Sequence, residues 1–95
     1  MGSADLVVNS DRAKGAVIKL EGMPQPGPNR IYEVWIHRGG QFVPAGALFG
    51  VNHGGSGSAA IPADLNGVDT VAITREQQGG TQQPTETPVM TFKLA

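Results

Sequence analysis

Fourteen glycines and seven prolines punctuate this 95-residue chain, and no helical stretch of useful length survives between them. The intervening segments are short and alternate apolar with polar residues, the period of a strand with one buried face. Ala4 to Asn9 (ADLVVN) reads as a first strand. Gly15 to Leu20 (GAVIKL) reads as a second, with Ala16, Ile18 and Leu20 on one face and Lys19 and Glu21 on the other. Three prolines in EGMPQPGPN then break the pattern. Arg30 to His37 (RIYEVWIH) is the strongest strand signal, rich in β-branched and aromatic residues. Tyr32, Val34 and Ile36 share one of its faces, Ile31 and Trp35 the other, which predicts a central strand covered on both sides. A Gly39-Gly40 turn leads into QFVPAGALF, where Pro44 predicts a sheet edge or a bulge. NHGGSGS reads as a flexible hairpin tip, ADLNG as a single helical turn closed at Asn66-Gly67. SAAIP, DTVAIT and PVMTFKL supply the remaining strands. Seven strands with turn signals at intervals of roughly ten residues predict an all-β fold: an antiparallel two-sheet β-sandwich, immunoglobulin-like in appearance. Met1-Gly2-Ser3 reads as an added start, leaving residues 4–95 as one domain.

Seven basic residues nearly balance eight acidic ones, and neither sign forms a run. That argues against a nucleic-acid surface or an anionic-membrane surface, both of which need clustered Lys and Arg. The absence of cysteine removes disulfides, thiolate metal sites and a cysteine nucleophile together. No apolar stretch approaches the roughly 18 residues of a membrane-spanning helix. His37 and His53 lack a second ligand at zinc spacing, so no metal site is expected. HGGSGS lacks both the spacing of a nucleophile elbow and the Lys-Ser/Thr end of a phosphate loop. Glu33, Asp64, Asp69 and Glu76 are the carboxylates from which an acid/base pair would have to come, but no catalytic constellation is visible among them. No enzyme and no cofactor are expected. Trp35, the one tryptophan, is expected in the core.

Three segments, in order, resemble the C-terminal domain of the anti-sigma-K factor family. They are EGMPQPGPNRIYEVWIHRGGQFVPAGAL with its Tyr-x-x-Trp strand, IPADLNGVDTVAITRE with its Thr-x-Glu, and GGTQQPTETPV. The resemblance spans about Ala16 to Val89. Gln77 stands where the family often has proline, and His37-Arg38 replaces a more apolar strand end. The motif residues are Tyr32, Trp35, Thr74, Glu76, Gly79, Gly80, Pro84 and Thr85, and structural roles are expected for them. For the stretch 74–89, Gly79 and Gly80 are expected in backbone angles closed to other residues, with Pro84 and Pro88 stiffening the loop. Glu76 is expected to accept hydrogen bonds from backbone N–H groups of that loop. A competing reading makes Glu76, Thr85 and the nearby glutamines a ligand surface.

The resemblance implies a single-pass bacterial membrane regulator. Its cytoplasmic domain, which often binds zinc, would hold a sigma factor inactive, and this domain would lie outside the membrane as a sensor or as a cap limiting protease access. Nothing in these residues matches the cytoplasmic domain or the membrane helix, so this stretch is not expected to bind a sigma factor itself. Two other readings compete with it. One is an exported module binding envelope carbohydrate or peptide, which an exposed Tyr32 or Trp35 would favour. The other is a structural sandwich dimerising through a strand edge.

Overall fold

The computed structural model describes residues 2–94. It is a two-sheet antiparallel sandwich of seven strands: β1 (Ser3–Val8), β2 (Ala16–Glu21), β3 (Arg30–Arg38), β4 (Gln41–Phe49), β5 (Gly57–Ile61), β6 (Thr70–Gln77) and β7 (Met90–Lys93). One sheet has the order β1-β2-β5, the other β4-β3-β6-β7. In a constant-type immunoglobulin domain the fourth strand joins the first sheet; here it pairs with β3 instead. The chain changes sheets three times, after β2, β4 and β5.

The alternation seen in the sequence sets what each strand buries. Ile18 and Leu20 of β2, Tyr32, Val34 and Ile36 of β3, and Val71 and Ile73 of β6 meet between the sheets, all of them buried. Each such side chain is worth about 1.5–3 kcal/mol of burial. Tyr32 also stacks on Phe49 with ring centroids 5.6 Å apart, and its hydroxyl donates to the Pro24 carbonyl at 2.6 Å. The proline-rich break is thereby tied to the core. Pro44 lies on an edge strand and beside a bulge at once: Glu33 pairs with Leu48 and Trp35 with Pro44, so one residue of β3 faces three of β4. An edge position leaves the missing N–H of proline without consequence for the ladder.

Three details differ from the sequence reading. The HGGSGS segment is no hairpin tip, because β4 and β5 belong to different sheets. It is a tight corner in which Asn52 bonds Ser56 and Gly55 and in which the Gly55 carbonyl accepts from Met23 N–H at 3.0 Å. The ADLNG segment forms a hydrogen-bonded turn, Val68 N–H to Leu65 carbonyl at 3.1 Å, and not a helix. A short 3-10 turn instead occupies Arg12–Lys14, where Asp11 caps it by accepting from Ala13 N–H. β1 begins at Ser3, paired with Glu21.

Candidate functional site

The outer face of the four-stranded sheet carries an unusual row of polar groups. Strand alternation turns Glu33 and Trp35 of β3 away from the inter-sheet core, and Ala72, Thr74 and Glu76 of β6 with them. Cross-strand register sets Trp35 opposite Ala72 and Glu33 opposite Thr74. An outward face normally meets water, yet Trp35, Thr74 and Glu76 are each 0% exposed and Glu33 is 4% exposed. Trp35 is thus buried as expected of a core residue, but not between the sheets. It lies under residues 78–89, the segment joining β6 to β7, which crosses this face as a strap.

A chain of hydrogen bonds joins strand to strap. Trp35 Nε1–H donates to Thr74 Oγ1 at 2.7 Å, and the Thr74 hydroxyl donates onward to Glu76 Oε2 at 2.5 Å. From the strap, Thr85 N–H reaches the same oxygen at 3.1 Å, and the Thr85 hydroxyl donates to Oε1 at 2.5 Å. Both oxygens of Glu76 are therefore engaged. Burial opposes ionisation of Glu76, but the donors from Thr74 and Thr85 outweigh it and hold the carboxyl below its ordinary range. Glu33 pins the strap at a second point, its Oε1 accepting Thr81 N–H at 2.9 Å. Here burial prevails: it pushes the Glu33 carboxyl up, the Thr81 N–H pulls it down by less, and the nearby Glu76 charge adds to the rise.

Gly79 and Gly80 open the strap with φ of 91° and 80°, the left-handed region that favours glycine. At Gly80 space matters as well, since a Cβ would lie 3.0 Å from Leu48 Cδ2 and 3.1 Å from Glu33 Oε1. Pro84 and Pro88 then roof Trp35, Phe42, Ala72 and Thr74 around an apolar gap of about 70 Å³. Glu86 fastens the outside of the strap, accepting from Arg30 Nη1 at 2.8 Å and from Arg75 Nε at 3.4 Å.

The structure brings seven of the eight motif residues to this one face: Trp35, Thr74, Glu76, Gly79, Gly80, Pro84 and Thr85. Tyr32 is not among them, since it points into the inter-sheet core. Sequence reasoning listed Glu33 as a possible acid that could also be inward or paired across strands, and gave no role to Thr81, Phe42 or the Arg30–Glu86–Arg75 cluster. A signal for Glu33 was present: it interrupts the outward row Ile31-Glu33-Trp35 between two large apolar residues.

The other candidates lie elsewhere. His37 Nδ1–H donates to Asp69 Oδ1 at 2.7 Å and its ring packs at a tilt against Phe42, with centroids 4.7 Å apart and planes inclined by 54°. The hydrogen bond from His37, with one from Thr70, holds the exposed Asp69 carboxyl below its ordinary range. The Asp64 side chain accepts from Asn66 N–H at 2.8 Å, while its carbonyl accepts from Arg38 Nη2. His53 sits in the exposed corner turn. Among the described residues no three His, Asp or Glu side chains are placed to hold a metal ion.

The split between a raised Glu33 and a lowered Glu76 is the pattern of an acid/base pair. Both carboxylates of this pair, however, accept from the strap: Glu76 through both oxygens, with Thr74 of β6 adding a further donor, and Glu33 through Oε1. What the arrangement does chemically is tie a twelve-residue connection, 78–89, to the sheet it covers. A family model described as "Anti-sigma-K factor rskA, C-terminal" matches residues 1–90. No curated protein and no solved structure matches the chain.

Proposed function

From the premise that this chain belongs to the anti-sigma-K factor C-terminal family, we propose that it is the extracytoplasmic regulatory domain of a membrane-anchored anti-sigma factor and acts without catalysis. The observation that carries this reading is the family match over residues 1–90, most of the chain. Anti-sigma factors of this family are regulators. A sigma factor would be held by a cytoplasmic domain of the parent protein, and anchoring would fall to a membrane helix of that parent. Among the described residues no helix is long and apolar enough to cross a membrane.

The strap supports a mechanism that runs through folded-state integrity. Regulation by proteolysis needs a segment whose accessibility depends on state, and accessibility of this kind follows local or global opening. Here the connection 78–89 is clasped to the sheet at Thr81, Thr85 and Glu86. In the folded domain the clasp holds it against the sheet; unfolding releases it as a free loop. Partner or envelope-ligand contact that tightened or loosened the clasp would pass a signal inward. The competing carbohydrate-binding reading asks for an exposed aromatic platform, whereas Tyr32 is 1% and Trp35 0% exposed.

The test uses the full parent chain in its own cell. Alkaline phosphatase fused behind this domain is expected to be active, and removal of residues 4–94 is expected to change transcription from a sigma-dependent reporter. An inactive fusion would overturn the extracytoplasmic placement. An unchanged reporter would overturn the regulatory role.

A further inference from the structure

One acceptor on the strapped face is left over. Glu33 is 96% buried by its 4% exposure, and Oε1 is taken by Thr81 N–H. Among the described residues no donor is hydrogen-bonded to Oε2. None of the fully buried side-chain oxygens there lacks a partner, so Oε2 is not sealed in. Glu33 lines a cleft of about 290 Å³ between the β4 edge and the start of the strap, together with Pro44, Leu48, Gly80 and Gln82.

Charge, shape and stoichiometry each restrict what fits. The three ion pairs of the described residues engage Glu86 and Asp69, leaving Glu33 without a cation. A desolvated carboxylate with no counter-charge and a second carboxylate nearby favours a cationic ligand. Leu48 is 43% exposed beside it, an apolar wall suited to an alkyl stem with a charged end. A single free oxygen gives one-point acceptance, which matches a compact ammonium better than the two-pronged fork of a guanidinium. The bare Gly80 keeps the passage open, since a Cβ there would press on both Leu48 and Glu33.

We propose that this cleft binds a primary alkylammonium group, the chemistry of a lysine side chain or of a free polyamine, with Glu33 Oε2 accepting from the ammonium and Leu48 covering the stem. The proposal does not depend on the regulatory reading, because a binding site in the isolated domain is measured without reference to transcription.

The experiment is a titration of the ¹⁵N-labelled domain with n-butylammonium chloride, followed by amide NMR at about pH 8, where the amine is charged. Saturable shifts confined to Leu48, Gly79, Gly80 and Thr81 are expected, with n-butanol leaving these amides in place. Glu33→Gln keeps an acceptor for Thr81 and is expected to weaken binding about tenfold or more, the worth of a hydrogen bond to a charged group. Leu48→Ala, at an exposed position, is expected to weaken n-butylammonium but not methylammonium. It decides the matter if Glu33→Gln fails to fold. Saturation by N-acetyl-lysine methylamide below putrescine assigns the site to a lysine side chain, and the reverse order to a polyamine. Absent or scattered shifts, equal binding of n-butanol, or unchanged affinity in the variants would overturn the proposal.

Discussion

At the scale of single residues, Thr74 is the joint on which the strapped face turns. Its hydroxyl oxygen accepts from Trp35 Nε1 and its proton goes to Glu76. Thr74→Val keeps the shape but strands an indole N–H and takes a donor from a buried carboxylate. A loss of roughly 2–4 kcal/mol is expected in urea unfolding followed by Trp35 fluorescence. A loss below about 1 kcal/mol would mean that water replaces the hydroxyl and that the hydrogen-bond chain is not closed. The two carboxylates carry opposite pH dependence. Glu76 has its folded pKa lowered, so its stabilisation is full above the ordinary carboxylate range and is lost as pH falls through the folded value. Glu33 has its folded pKa raised, so ionising it weakens the fold as pH rises through that value, and acid relieves the penalty. Glu33→Gln is therefore expected to raise the thermal midpoint at neutral pH, with the gain shrinking towards acid. Glu76→Gln is expected to lower the midpoint at neutral pH and to flatten the acid-side decline. Parallel pH profiles for wild type and both variants would contradict these assignments.

At the scale of elements, the strap is an irregular segment that is nonetheless fixed at both ends and in the middle. Gly79 and Gly80 separate two causes of that order. A Cβ at Gly79 meets nothing within 4 Å, so Gly79→Ala carries the backbone cost alone, about 1–2 kcal/mol. Gly80→Ala adds a collision with Leu48 and Glu33, and is expected to cost more in the same unfolding assay. Equal costs would mean that Leu48 swings aside freely. The strands were legible because each depends on its own period: β2 shows alternation along Ala16–Glu21, and β3 its two apolar faces. The Gly-Gly and Pro-x-x-x-Pro spacing of the strap was legible for the same local reason. What the strap covers was not, because the meeting of Thr81 with Glu33 joins residues 48 apart in the chain. Trp35 was placed by analogy with sandwiches that hold tryptophan between the sheets; the strap offers a second dry site on the other face. The HGGSGS corner was misread for want of topology, since glycine spacing does not say whether the next strand returns to the same sheet.

At the scale of the whole molecule, the sandwich has a core between its sheets and a smaller dry layer under the strap, and β3 belongs to both. Tyr32, Val34 and Ile36 fill one while Glu33 and Trp35 fill the other. Because one strand serves both layers, opening the strap exposes the back of the strand on which the main core is built. The strap is therefore expected to open only with the whole domain, so that folded-state integrity itself can act as the regulated quantity. Native-state hydrogen exchange across a denaturant series tests this most directly, through the amides of Thr85 in the strap and Ile73 in β6. The two are expected to converge on the same opening free energy and the same denaturant dependence. Exchange of Thr85 through a cheap, denaturant-independent opening while Ile73 stays protected would contradict the account, and would make the strap a lid that moves on its own.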